Sequence, residues 1–205
     1  MVWDLPTRLF HWGFAVSIVG AYVSGERGDL VWHEYFGLVA VGLFVFRLLW
    51  GFFGHAPSRF ADFLYAPAQI WRYIKSLPQA AHFEGHNPLG GLAVFAMLAV
   101  MGAVAITGLW TGDDVLYAAP LTALAPHWEA TAGRWHIQLH TLVIPLIALH
   151  LLAVLLHRLV LKEKLVSRMV RGGTGAATSR RRTMAGLVLL AVCVGGALAL
   201  TLLPR

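Results

Sequence analysis

Cysteine and charge are both scarce in this sequence, and each scarcity excludes a class of protein. Cys193 is the only cysteine among 205 residues, so the chain has no intrachain disulfide, no thiolate set for an iron–sulfur cluster and no C-x-x-C-H motif for covalent cofactor attachment. Charged residues make up 13% of the chain and hydrophobic residues 58%. This composition argues against a water-soluble globule and indicates an integral membrane protein.

Five long apolar runs account for the hydrophobic excess, and each predicts a transmembrane helix. We number these predicted spans 1 to 5, and they cover residues 9–23, 35–53, 89–110, 135–161 and 184–203. Each approaches or exceeds the roughly 17 to 25 residues that a helix needs to cross a bilayer core. Span 1 is the shortest and is expected to begin earlier, near Pro6. It lacks the basic leader and the cleavage site of a secretory signal, so we expect it to be retained.

The basic residues are distributed unevenly over the loops, and this asymmetry predicts an orientation. If the N-terminus and the loops after spans 2 and 4 share one side, that side holds all but three of the 16 Lys and Arg residues. The positive-inside rule then places the N-terminus in the cytoplasm, with the protein in a bacterial inner membrane. The net charge of +6 follows from this bias, so nucleic-acid binding is not expected. The opposite, periplasmic face is acidic and carries Glu26, Asp29, Glu34, Asp113, Asp114 and Glu129.

The segments between the spans predict two further features. Residues 67–77 alternate apolar and basic side chains at helical spacing, which favours a helix lying on the cytoplasmic membrane surface. Residues 111–134 are rich in turn formers and predict a loop that covers the periplasmic side. Span 5 contains no histidine and no internal charge, so we expect it to serve as an anchor or a packing surface.

Span 4 is unusual because four histidines interrupt an otherwise apolar run: His136, His140, His150 and His157. A titratable group at membrane depth is costly, so an intramembrane histidine indicates function. His11 and His33 add two more on other spans. With almost no intramembrane carboxylate and no clustered thiol, the ligands are imidazoles alone, which suits haem iron, zinc or copper.

Helical spacing favours haem among these three. His136 and His150 are 14 residues apart, which places them within about 40° on one helix face and about 21 Å apart along the axis. That is too far for one metal and suits two stacked haems, whereas His136 and His140 are only about 6 Å apart along the axis. Matching the depths of the spans pairs His11 with His150 near the cytoplasm and His33 with His136 near the periplasm. Two histidines per iron fill both axial positions, which favours electron transfer over oxygen binding.

Three other residues are weaker candidates for contact with a cofactor. His140 is predicted to hydrogen-bond a haem propionate or water, and His157 to contact a propionate, a quinone or solvent. Arg47 is predicted either to pair with a propionate or to extend to lipid phosphate at the membrane surface. Four loop histidines are predicted to be surface or interfacial residues: His55, His82, His86 and His127. Six glycines are predicted to allow close approach of a cofactor or a neighbouring helix: Gly37, Gly42, Gly90, Gly91, Gly102 and Gly108.

Five segments, in this order and spacing, carry a resemblance to a known family. They are WDLPTRLFHW in span 1, WHEYFGLVAVGLFVFRLLWG in span 2, GHNPLGGLAVFAML entering span 3, a histidine followed by 13 residues and a second histidine in span 4, and EKLVSRMVRG after it. Together they cover most of residues 1–172. The sequence resembles the prokaryotic cytochrome b561 family, di-haem membrane cytochromes that include the membrane subunits of nickel–iron hydrogenases.

The resemblance implies a four-helix transmembrane bundle over residues 1–172 that binds two non-covalent haems b, while 173–205 add a basic linker and a fifth transmembrane helix. The family's ligands fall on the same four histidines, His11, His33, His136 and His150. The implied role is electron transfer in a respiratory chain, between the quinone pool and a periplasmic c-type cytochrome, with quinol:cytochrome oxidoreductase activity. One alternative is an anchor subunit of a larger periplasmic oxidoreductase such as a hydrogenase, and another is a histidine-based metal transporter. A homodimer is compatible with the sequence.

Overall fold

The computed structural model describes residues 3–76, 83, 85–112, 117–172 and 179–204, and these residues form a helical bundle. Its α-helices, in chain order, are α1 Leu5–Glu26, α2 Leu30–Phe53, α3 Pro67–Ser76, α4 Pro88–Thr107, α5 Glu129–His140, α6 Val143–Leu159, α7 Leu165–Arg171 and α8 Arg180–Leu198. Within the described ranges, extended pairing is limited to one isolated antiparallel bridge between Gly112 and Ala118. Several predicted features fall outside these ranges: Leu77, His82, Asp113, Asp114 and residues 173–178 of the linker.

Capping side chains fix where the main helices begin. α1 starts after Asp4, whose Oδ1 accepts a hydrogen bond from the Thr7 backbone N–H at 2.7 Å. Pro6 lies in the first turn, where a helix needs no backbone donor. α4 begins in the same way, with Asn87 as the cap and Pro88 as its first residue. The expected start of span 1 near Pro6 is therefore confirmed.

Four segments of the described chain are long and apolar enough to cross a membrane. They are Leu30–Phe53, Pro88–Trp110, Pro126–Leu159 and Arg180–Leu202. They correspond to predicted spans 2 to 5. α1, the counterpart of span 1, has 22 residues but does not belong to this set, because polar residues such as His11, Ser17 and Glu26 make it less apolar.

α2 is the central helix, since α1, α4 and α8 all pack against it. Of its apolar stretch, 56% is buried by the rest of the protein, compared with 6% for α8. At Gly42 the two helices approach so closely that a Cβ atom would lie 2.6 Å from the Cα of Val194. α8 therefore has the packing role that the sequence predicts for span 5. The main core cluster is rich in aromatic side chains, including Phe10, Phe14, Phe44, Phe46 and Trp50.

The prediction of one uninterrupted helix in span 4 was wrong. A turn at Thr141 and Leu142 divides it into α5 and α6. Pro145 explains the break, because it has no N–H to donate to the Thr141 carbonyl and its ring crowds that carbonyl. Both turn residues keep right-handed helical backbone angles, so Pro126–Leu159 still forms one candidate span. The ideal-helix distance between His136 and His150 is consequently an approximation.

Of the two segments predicted between the spans, one is shorter than expected and the other forms the expected helix. The loop predicted for 111–134 is shorter, because α5 already begins at Glu129. Hydropathy does not mark this first turn and a half of α5, since its residues are mostly small or polar. The helix predicted for 67–77 is confirmed as α3, with Tyr73 buried and both Trp71 and Ile74 exposed.

Candidate functional site

The fold brings the four candidate ligands together as two separate pairs. The rings of His11 on α1 and His150 on α6 have centroids 6.3 Å apart and planes inclined by 50°. The rings of His33 on α2 and His136 on α5 have centroids 6.0 Å apart and planes inclined by 84°. These are the same two pairs that the sequence predicts from depth alone, and each pair joins two different helices.

The separation within each pair suits one metal ion between two imidazoles. An imidazole nitrogen lies about 2.0–2.1 Å from the metal that it binds, and the ring centroid lies about 1 Å further away. Two imidazoles on opposite sides of one ion therefore have centroids about 6 Å apart. Both pairs match this value. Ala21, which contacts His33, lies ten residues after His11 on α1, so the pairs are about 15 Å apart along that helix.

Hydrogen bonds fix the tautomers of His33 and His136. The Nδ1 of His33 lies 2.7 Å from the carbonyl oxygen of Ala21, and the Nδ1 of His136 lies 2.9 Å from that of Val104. Since a carbonyl only accepts, each Nδ1 carries the hydrogen and donates it. The Nε2 atom of each ring is then unprotonated and has a lone pair for a metal, which is the usual arrangement of metal-binding histidines.

Two glycines make room for these rings. A Cβ atom at Gly25 would lie 2.8 Å from the Nδ1 of His33, and one at Gly108 would lie 3.1 Å from the Cε1 of His136. Gly37 is one helical turn after His33, and no heavy atom lies within 4 Å of the position that its Cβ would take. Small residues therefore seat both ligands and leave the adjoining face of α2 accessible to a bulky planar group. The contact between Gly25 and His33 was not predicted from the sequence, because a glycine after span 1 is readily explained as a turn residue.

The His11–His150 pair is held differently. The Nδ1 of His11 is buried and has no hydrogen-bond partner among the described residues. The ring of Trp12 contacts His11 edge-on, with a centroid distance of 5.0 Å. His11 therefore lacks the carbonyl acceptor that orients His33 and His136.

Arg47 is buried, with 3% of its surface exposed. Its Cζ lies 4.6 Å from the centroid of the Phe60 ring and 5.8 Å from that of Phe63. The alternative that Arg47 extends to lipid phosphate at the surface was therefore wrong. Its Nη1 has no partner among the described residues, which fits a carboxylate acceptor such as a haem propionate.

His86 and His55, predicted to be surface or interfacial residues, are both only partly exposed. The His86 ring lies between Trp3 and Phe63, with centroid distances of 4.7 and 4.5 Å, and its Nδ1 is buried. Burial, together with the nearby Arg47 charge, lowers the pKa of His86 to about 4. The Nε2 of His55 is buried as well. His127 is exposed, as predicted.

Asp4 accepts hydrogen bonds from several segments at the end of the bundle where α1 begins. This role was not predicted from the sequence. Besides capping α1, its Oδ2 accepts hydrogen bonds from Trp50 Nε1 at 3.1 Å and Ser58 Oγ at 3.3 Å. The three residues join the start of α1 to the end of α2 and to the loop that follows. The Asp-x-Pro pattern indicates the cap in the sequence, but no local pattern indicates the two distant donors.

His140 and His157 lie apart from the two pairs. His140 stacks on Tyr22, with ring centroids 5.2 Å apart. His157 Nδ1 lies 3.0 Å from Glu163 Oε2, and its Nε2 accepts from Asn87 Nδ2 at 3.4 Å. Both nitrogens of His157 are therefore engaged by other side chains of the protein. Over the described part of the chain, no group of three or more His, Cys, Asp or Glu side chains could hold a metal ion.

Comparison with known families identifies the family of the chain. The family model for prokaryotic cytochrome b561 matches residues 2–172. The chain belongs to the prokaryotic cytochrome b561 family. Membership of this cytochrome b561 family, together with the four candidate spans, makes the chain an integral membrane protein of the b-type cytochromes, which bind haem and transfer electrons.

Two curated relatives carry a more specific description. A protein of Azotobacter vinelandii is 28% identical over 216 residues, covering 83% of this chain and 86% of the relative. A protein of Azotobacter chroococcum mcd 1 is 31% identical over 177 residues, covering 71% of this chain and 67% of the relative. Both are described as a probable Ni/Fe-hydrogenase B-type cytochrome subunit. No solved structure matches the chain.

Proposed function

We propose that this cytochrome b561 carries electrons across the membrane through two haems b, one held by His11 and His150 and the other by His33 and His136. The observation that supports the proposal is the pair of imidazole contacts, at 6.3 and 6.0 Å, each between two different helices. The unprotonated Nε2 atoms of His33 and His136 and the accessible face at Gly37 also fit haem.

When bound, the two haems supply reversible one-electron redox chemistry. The role of the protein is to occupy both axial positions with histidine, which favours electron transfer over oxygen binding. Arg47 is assigned to a propionate at the His11–His150 end, because a carboxylate is a good acceptor for the unpartnered N–H of a buried guanidinium. His140 and His157 are assigned to the surroundings of the haems rather than to the irons.

The electron donor and acceptor follow from the two ends of the bundle. We assign a quinone or quinol to the cytoplasmic end and a periplasmic protein, such as a c-type cytochrome, to the other. Glu26 and Asp29 are exposed in the turn between α1 and α2, a few residues before His33. Exposed acidic side chains beside a haem favour a partner with a basic surface, since complementary charges accelerate encounter.

The names of the two Azotobacter relatives support a second candidate for the partner. If this chain serves a hydrogenase as they are described to do, its periplasmic end docks an oxidoreductase subunit rather than a diffusing cytochrome. Affinity purification of the full chain from its native membrane in mild detergent distinguishes the two. A bound hydrogenase subunit in stoichiometric amount supports the anchor role, whereas rapid, salt-sensitive oxidation by a c-type cytochrome supports the diffusing carrier.

A metal transporter is the least favoured function. Zinc sites in proteins have three or four protein ligands that converge on one ion. Over the described residues the candidate ligands are arranged as pairs, so this alternative has no support from the geometry.

A haem count of three purified proteins tests the proposal. Pyridine haemochrome analysis should give two haems b per chain for the unaltered protein and one for His150→Ala, because the second pair keeps its ligands. His140→Ala is the matched control and should keep two, since His140 contacts Tyr22 rather than a second histidine. A single haem in the unaltered protein, or two in His150→Ala, would contradict it.

A further inference from the structure

A cavity of about 510 Å³ lies between the end of α6, the turn after it and α7. This volume is within the range of sites that bind small molecules. Three cationic side chains line it, namely Arg158, Lys164 and Arg171, together with one acidic side chain, Glu163. The Oε2 of Glu163 lies 3.0 Å from His157 Nδ1, so this carboxylate is engaged on the side of the histidine. The cavity therefore has an excess of positive charge.

Three valines supply apolar lining to the cavity. Val154 precedes Arg158 by four residues on α6, so both side chains are on the same face and Val154 is about 6 Å further into the span. Val166 and Val170 lie four residues apart on α7 and share one face of that helix. A ligand that fills the cavity thus meets both cationic and aliphatic side chains.

The helix α7, which forms one wall of the cavity, is held in place by α1. Arg8 Nη1 donates a hydrogen bond to the Val170 carbonyl at 2.9 Å, and Trp12 Nε1 donates to the Met169 carbonyl at 3.3 Å. These contacts join residues more than 150 positions apart in the chain. The short helix α7 is consequently fixed against the bundle, and the cavity is a defined feature of the fold.

We propose that this cavity binds the phosphate headgroup of an anionic phospholipid, with its glycerol and upper acyl chains against the valines. The end of the bundle that carries the cavity is also the end where the basic residues of the loops concentrate. Basic pockets between transmembrane helices at such a face bind anionic headgroups. Lipid binding at this cavity is a role additional to the proposed electron transfer.

Lipid titration of the full chain tests the proposal. Delipidated protein in neutral detergent is titrated with phosphatidylglycerol or phosphatidylcholine, and binding is followed by native mass spectrometry. We expect phosphatidylglycerol to bind preferentially, and the double variant Arg158→Gln with Arg171→Gln to bind it at least about tenfold more weakly. The matched control, Arg72→Gln with Lys75→Gln, removes two cations from α3 outside the cavity and should bind like the unaltered protein.

Three outcomes would overturn the proposal. The first is equal binding of the two lipids, and the second is an equal loss in the cavity and control variants. The third is competition by inorganic phosphate at millimolar concentration, which would assign the site to a soluble anion. The b-type absorbance of each variant serves as the folding control, and if the double variant loses it, Lys164→Gln provides the same comparison with one charge removed.

Discussion

The two histidine pairs have nearly the same separation but differ in how their rings are held. At one end, His33 and His136 each donate Nδ1–H to a backbone carbonyl of a neighbouring helix. At the other end, the Nδ1 of His11 is buried without a partner among the described residues. A carbonyl acceptor makes an imidazole a stronger electron donor, which stabilises ferric iron. If both pairs hold a haem as we propose, we expect the two haems to differ in midpoint potential.

The largest expected effect is the loss of one haem when the packing around the His33–His136 pair is disturbed. Gly108→Leu places a side chain where His136 now lies, since even a Cβ would be 3.1 Å from its ring. We expect this variant to lose most of the haem at His33 and His136 and to keep the other, so the pyridine haemochrome count falls from two toward one. Gly195→Leu is the control, because no atom lies within 4 Å of its Cβ position, and it should keep two. Equal losses in both variants would show a general packing defect instead.

A smaller effect concerns the potentials themselves. We expect the haem at His33 and His136 to have the lower midpoint potential, and the haem near the buried Arg47 to have the higher one. Arg47→Gln removes a buried positive charge, so the higher potential should fall by about 60 mV, equivalent to a tenfold change for one electron. Arg47→Lys keeps the charge and should shift less. Potentiometric titration of the visible spectrum measures both, and a shift confined to the lower-potential haem would contradict the assignment.

The smallest effect is a pH dependence confined to the Arg47 end. His86 has a pKa of about 4 in the folded protein, below its ordinary value of 6.5. Below pH 6.5 His86 is protonated in the unfolded chain but stays neutral in the folded protein. The free energy of unfolding therefore falls as the pH decreases toward 4. From pH 7.5 to 5.5 the loss should be about 1 kcal/mol.

His86→Gln tests this dependence, because glutamine does not titrate. Its thermal midpoint should fall less than that of the unaltered protein over the same pH interval, whereas His127→Gln, at an exposed position, should behave like the unaltered protein. If acid lowers the midpoint of His86→Gln as much as that of the unaltered protein, the buried state of His86 does not control the effect.

Much of the candidate site could be predicted from the sequence, because it depends on regular geometry. Helical rise and the depth of each span are enough to pair His11 with His150 and His33 with His136. The Asp-x-Pro pattern marks the start of α1, and the Asn-Pro pattern marks that of α4. These features are local or follow directly from the order of the helices.

The remaining features depend on contacts between distant segments. The Nδ1 of the loop residue His86 is buried because Trp3 and Phe63 lie against the ring, and none of the three residues is near another in sequence. Arg47 is buried because the loop after α2 folds back over it, placing Phe60 against its guanidinium. Hydropathy and periodicity contain no information about such folding back, so the burial of these two side chains could not be predicted from them.

The pairing of the histidines is the central claim, and a haem count of two double variants tests it most directly. His11→Ala with His150→Ala removes both ligands of one pair and should leave one haem b per chain. His11→Ala with His136→Ala removes one ligand from each pair and should leave none firmly bound. If both double variants retain one haem, or if the first retains none and the second retains one, the proposed pairs are contradicted.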